Sequence, residues 1–249
     1  MKRQIFFALC LAVWCTAAFS QGNQRYKELN WRVFHWVNFS KYVDINSAEW
    51  KNMPLQDKKA LMQIPDDELK AMSTRELIDA YVECAFTRNL FLYSEIDVYY
   101  DQLYRGFNGV GELMQRKDVV DEVVKYYSAM DPQSSVISPA GIPMRFQMQF
   151  MEYLIGNPRM VEKCTIEQQR ALVRELLRQS ARRGAIQYAD DNLESNAYAL
   201  AQLLDKSTAS TANELTQLEG SLWLRKTGRL PNDHLSSKVI ELAERFIGR

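Results

Sequence analysis

The chain has 249 residues, 47% hydrophobic and 25% charged, with 31 basic side chains against 31 acidic ones. That is ample for a sizeable core. A balanced chain has no net field to draw in phosphate backbones, so composition argues against nucleic acid as a partner.

The first twenty residues have the layout of a secretory leader. Lys2 and Arg3 form a short positive stretch, Ile5 to Val13 is apolar, and Ala18-Phe19-Ser20 puts small residues at the cleavage positions before Gln21. The apolar run is too short to span a bilayer, and no second one follows it. The expectation is an exported protein, periplasmic or secreted, with residues 1–20 as signal peptide and 21–249 as one helical domain.

Between Gln21 and Trp50 the pattern fits a helix through Tyr26, Leu29, Val33, Trp36 and Val37, and less well a strand through Trp31, Val33, Val37 and Phe39. Lys51 to Ile64 continues as helix after Pro54, and Pro65-Asp66-Asp67-Glu68 opens another, with Pro at the first position and acids at the positive end of the dipole. Ser73-Thr74-Arg75-Glu76 is a capping box leading into an apolar face of Leu77, Ile78, Tyr81, Val82 and Ala85. Ile96, Tyr99, Tyr100, Leu103, Tyr104 and Phe107 form the next face, which Gly106, Gly109 and Gly111 end or kink. Asp118 is the expected N-cap of a Val119–Tyr127 stripe.

Asp131 to Gly141 is rich in Pro and Ser and reads as a long loop between halves 21–131 and 142–249. Pro143 opens a helix faced by Met144, Met148, Met151 and Ile155 and ended at Gly156-Asn157-Pro158. Thr165-Ile166-Glu167-Gln168 is a second capping box; Leu172, Val173, Leu176 and Leu177 face inward behind it, while Arg182 and Arg183 are expected to stay wet. Leu193 to Leu204 is a helix, and Ser207–Thr211 a polar loop. Leu215, Leu218 and Leu222 share one helix, and Leu235 to Phe246 forms the last. Eight or nine helices with short connections predict an all-α fold. The first expectation is an irregular stack of antiparallel hairpins, with a closed helical bundle as alternative.

The run Met72 to Cys84, with Arg105-Gly106-Phe107-Asn108-Gly109-Val110-Gly111-Glu112-Leu113 and Arg116-Lys117-Asp118, resembles a group of uncharacterised exported helical proteins of Bacteroidota, described as HEAT-like stacks. The likeness covers residues 50 to 206. It implies a helical stack and a bacterial envelope location, and it implies no activity.

Catalytic signatures are absent from the sequence. His35 and His234 are the only histidines and sit in unrelated contexts, without metal-ligand spacing, so no metal or cofactor is expected. Acids are the remaining route to catalysis, since glycoside hydrolysis needs only two carboxyl groups. Glu83, Asp97 and Asp101 lie among aromatics, and Asp97 and Asp101 share a helix side; Asp190 and Asp191 form a second group with Glu194. An ordinary wet face produces the same spacing. Trp31, Trp36, Trp50, Tyr99 and Tyr100 are candidates for a binding platform if exposed, and core residues if not. Cys84 and Cys164 are the cysteines outside the leader. A disulfide between them would close a long loop, worth about 4–5 kcal/mol in the chain-entropy model. The expected function is non-catalytic binding of a protein or glycan through a surface; the alternative is a hydrolase with paired carboxylates.

Overall fold

A computed structural model describes residues 46–61, 63–84, 87–135, 137–138, 142–184 and 193–248. The leader, Trp31, Trp36, His35, Asp190 and Asp191 lie outside the described residues.

Fourteen α-helices account for most of the described chain, so the fold is all-α. In chain order they are α1 Ala48–Asn52, α2 Leu55–Ala60, α3 Asp66–Ala71, α4 Thr74–Glu83, α5 Ile96–Gly106, α6 Asn108–Leu113, α7 Val119–Ala129 and α8 Met144–Ile155. Then come α9 Pro158–Val161, α10 Ile166–Gly184, α11 Leu193–Asp205, α12 Ala209–Gln217, α13 Ser221–Thr227 and α14 Asp233–Ile247. A 3₁₀ segment, Thr87–Leu92, links α4 to α5. Among the described residues the only β pairing is an isolated antiparallel bridge, Ile137 with Pro143, which closes the Pro/Ser-rich loop.

Both capping boxes form. Ser73 Oγ accepts from the Glu76 backbone while Glu76 Oε2 accepts from Ser73 N at 2.7 Å. Thr165 Oγ1 and Gln168 Oε1 exchange the same pair of bonds at 3.2 and 3.0 Å. Asp118 stands at the N-cap of α7, but its carboxylate makes no cap bond; it accepts from Thr74 Oγ1 at 2.6 Å and ties α7 to the start of α4.

Several boundaries differ from the sequence expectation, each for a local reason. Gly106 ends α5, but Gly109 and Gly111 lie within a separate helix, α6. Thr208 caps α12, so the polar loop before it is shorter than Ser207–Thr211. The single helix expected through Leu215, Leu218 and Leu222 breaks at Gly220, whose φ of +84° is left-handed backbone suited to glycine. The break turns Leu222 outward.

Helices α8 and α11 are the centre. From Gln147 to Ile155 every residue of α8 is buried, as are Ser195 to Ala201, Leu203 and Leu204 of α11. A helix enclosed on all sides must be covered by others. Around α8 lie α4, α7, α9 and α11; around α11 lie α8, α9, α10, α12, α13 and α14. In a stack of hairpins each unit meets its chain neighbours. Here α13 also packs on α5, more than a hundred residues earlier in the chain. One continuous apolar core runs from Ile64 to Phe246 across the Pro/Ser-rich loop.

The α8–α11 crossing depends on Gly156. A Cβ there would lie 2.5 Å from Tyr198 Cε1 and 3.1 Å from Ala199 Cα. Tyrosine hydroxyls then fasten the central helix. Tyr81 donates to the Phe150 carbonyl (3.0 Å), Tyr100 to that of Tyr153 (2.6 Å) and Tyr198 to that of Gly156 (3.1 Å). The last carbonyls of a helix lack partners within it, and the Tyr153 carbonyl finds one in this way.

Candidate functional site

Of the aromatic candidates within the described residues, Tyr99 and Tyr100 are core side chains, not an exposed platform. Their burial, and the bond from Tyr100 to Tyr153, corrects the platform reading. Trp50 is half-buried on α1, with Lys58 Nζ 5.1 Å from its ring centre. Cys84 is buried and Cys164 half-buried, and no disulfide joins them. The Cys164 thiol donates to the Met160 carbonyl at 3.3 Å, and burial pushes its pKa up to about 12, which suppresses the reactive thiolate.

Among the described residues the candidate acids do not converge in an enclosed site. Asp97 and Asp101 are exposed on α5, and Asp101 pairs with Arg105 one turn on. Glu83 is half-buried at the end of α4, on the side of Tyr126, whose pKa rises through burial first, then Asp79, with Glu83 adding to it. Glu194 accepts from Leu230 N at 2.8 Å and so fastens the loop before α14. Among the described residues no group of three or more His, Cys, Asp or Glu side chains is placed to hold a metal ion. His234 is exposed.

Among the described residues the deeply enclosed acid is Glu152, on α8, which the sequence pattern does not single out. Its Oε1 accepts from Tyr127 OH (2.5 Å), Asn196 Nδ2 (3.2 Å) and Arg183; its Oε2 accepts from Ser195 Oγ (2.5 Å) and Arg183 Nη1 (3.3 Å). Arg183 is therefore buried and paired, not wet as expected. Burial opposes its charge, but the fields of Glu152 and Tyr127 outweigh that and raise its pKa. Tyr127 shifts upward through burial and then the adjacent carboxylate. Helices α7, α8, α10 and α11 each contribute a group to this network. With every carboxylate lone pair directed at a protein donor and no opening to solvent, it holds helices in register and does not present a reactive acid.

Asp97 and Asp101 do line one surface feature. A cleft of about 230 Å³ lies between α5 and the α8–α9 turn, bounded by Asp97, Tyr100, Asp101, Tyr104, Asn157, Pro158 and Arg159. Asn157 is built in by its capping role: Oδ1 accepts from Arg159 N at 2.9 Å, which starts α9, and from Tyr104 OH at 3.2 Å. Asn157 is 1% exposed, yet its Nδ2 has no hydrogen-bond partner among the described residues. The Arg159 guanidinium lies 3.9 Å from the centre of the Tyr104 ring. Two carboxylates, an amide, a guanidinium and two phenol rings thus border one shallow space. Nothing in the sequence ties Asn157 to Asp97; only their packing does.

Two larger surface clefts, about 370 and 480 Å³, flank α14 and share Lys238. They are lined by charges of both signs, including the exposed Arg245–Glu214 ion pair, and no Phe, Tyr or Trp ring is among their lining residues. No described helix is long and apolar enough to cross a membrane.

No family model, no curated protein and no solved structure matches this chain.

Proposed function

We propose that the protein is an exported, non-catalytic binding protein whose α5–α9 cleft receives a saccharide. The observation that carries this reading is the lining of the cleft: Asp97, Asp101 and the Tyr104 ring from α5, with Asn157 and Arg159 from the α8–α9 turn. Carboxylates accept from sugar hydroxyls, amide and guanidinium groups donate to them, and an aromatic ring supplies an apolar face. The cleft is smaller than the about 300–1,000 Å³ typical of pockets that enclose a ligand. It suits one ring held at a surface.

The hydrolase alternative is less favoured by the same geometry. A general acid needs a carboxyl that stays protonated near neutral pH, which requires removal from water. Asp97 and Asp101 are exposed, and Asp101 is paired with a cation. Export rests on the leader-like sequence at residues 1–20 and on the resemblance to envelope proteins.

The test is calorimetric titration with soluble oligosaccharides, followed by assay of the same solutions for new reducing ends. Saturable binding with no new reducing ends supports the proposal. New reducing ends would establish a hydrolase, and absence of binding across the glycan panel would remove the saccharide reading.

A further inference from the structure

Resting on the saccharide reading, we infer that Arg159 is a displaceable cover on the Tyr104 ring and that the cleft selects neutral sugars over anionic ones. Three observations combine. First, the Tyr104 ring is fixed: its hydroxyl donates to Asn157 Oδ1 at 3.2 Å, and Asn157 is itself held by Arg159 N. The ring is therefore a preorganised platform that needs no ordering on binding.

Second, the face of that platform is occupied by a side chain that can leave it. The Arg159 guanidinium sits 3.9 Å from the ring centre, while the residue is exposed and, among the described residues, in no ion pair. Its backbone is held in the first turn of α9, so departure moves only the side chain. A cation–π contact of this exposed kind is weak enough for a stacking ring to replace.

Third, the cleft lining carries two carboxylates, Asp97 and Asp101, against one guanidinium, Arg159. Asp97 and Asp101 lie one turn apart on α5; Arg105 balances Asp101, and Asp97 has no ion-pair partner among the described residues. A neutral sugar offers hydroxyl protons to these carboxylates. A uronic acid would bring a third carboxylate to a lining with one guanidinium to offset it, and is the weaker ligand. Asn157 also lines the cleft, and its buried Nδ2 has no hydrogen-bond partner among the described residues, a state that costs free energy.

The experiment is titration calorimetry of the full chain and of Arg159→Ala, with the methyl glycosides of glucose, mannose and galactose and with methyl glucuronide. Binding is also read as an upfield shift of tyrosine ring protons in NMR spectra. The wild type is expected to bind at least one neutral glycoside about tenfold or more tightly than the glucuronide. Arg159→Ala is expected to bind that neutral glycoside about two- to fivefold more tightly, because no cation must leave the ring. Equal or weaker binding by Arg159→Ala overturns the cover and makes Arg159 a plain ligand contact. Equal preference for the glucuronide overturns the selectivity. If neither protein binds any neutral glycoside, the saccharide reading itself fails. Arg159→Gln, which keeps a polar side chain of similar reach but carries no charge, separates loss of the cation from loss of bulk.

Discussion

The Glu152 carboxylate and the Arg183 guanidinium form an ion pair at the centre of the helical core, with side chains 0% and 6% exposed. Removing either partner leaves a buried charge without its counterion. Glu152→Gln and Arg183→Met should each lower stability by about 3–5 kcal/mol. The double variant should lose less than the sum, because the second change removes the charge that the first left stranded. Urea denaturation of the three variants measures this. Additive losses would mean that the pair is not coupled.

Two glycines should respond oppositely to alanine. At Gly156 the new methyl would meet the Tyr198 ring at 2.5 Å and the Ala199 backbone at 3.1 Å. Forced repacking there should cost about 1–3 kcal/mol and disturb the Tyr198–Gly156 bond. At Gly111, within α6, a Cβ meets nothing within 4 Å. Gly111→Ala should raise stability by about 0.5–1 kcal/mol through the lower helix cost of alanine. Thermal melting of both variants decides the matter.

Alkali should unfold the protein through its tyrosines. Tyr81, Tyr99, Tyr100, Tyr127, Tyr153 and Tyr198 all have pKa values raised above the ordinary 10.0, in each case chiefly by burial. A group whose pKa is higher in the folded than in the unfolded state gives stability that is complete below the unfolded value. That stability is lost as pH rises above it. Stability should therefore be flat through neutral pH in this respect and fall from about pH 10 upward. Tyrosinate absorbance near 295 nm should appear together with loss of helical circular dichroism. Full tyrosine titration with the helix signal intact would contradict the burial of these hydroxyls.

Local signals were legible in the sequence and long-range ones were not. Ser73 with Glu76, and Thr165 with Gln168, are three positions apart, and both boxes form as read. The face of Leu235, Val239, Leu242, Ala243 and Phe246 is buried for the same reason: helical period dictates which side hides. Arg183 beside Arg182 at a helix end looks like a wet residue. Its burial depends on Glu152, which is 31 positions earlier and comes near only when α8 and α10 pack. The outward turn of Leu222 depends on one left-handed residue, Gly220, which a heptad-like leucine pattern conceals. It leaves Leu222 69% and Trp223 55% exposed on α13, the helix that packs on α5.

The candidate cleft was half legible. Asp97 and Asp101 stand out as acids one turn apart among aromatics, but sequence offers no reason to join them to Asn157 and Arg159. The turn Gly156-Asn157-Pro158 reads as a helix stop, and it is one. The packing of Tyr104 against Asn157 makes that stop the far wall of a cleft.

The central claim, that this cleft binds a sugar through its two carboxylates, is tested most directly by titrating one neutral oligosaccharide into wild type and into Asp97→Ala/Asp101→Ala. Both side chains are exposed and the Asp101–Arg105 pair is worth at most about 1 kcal/mol, so the double variant should fold and melt nearly as wild type does. Each hydrogen bond to a carboxylate contributes about 1.5–3 kcal/mol, so affinity should fall by at least about tenfold. An affinity that is unchanged in the double variant would contradict the claim.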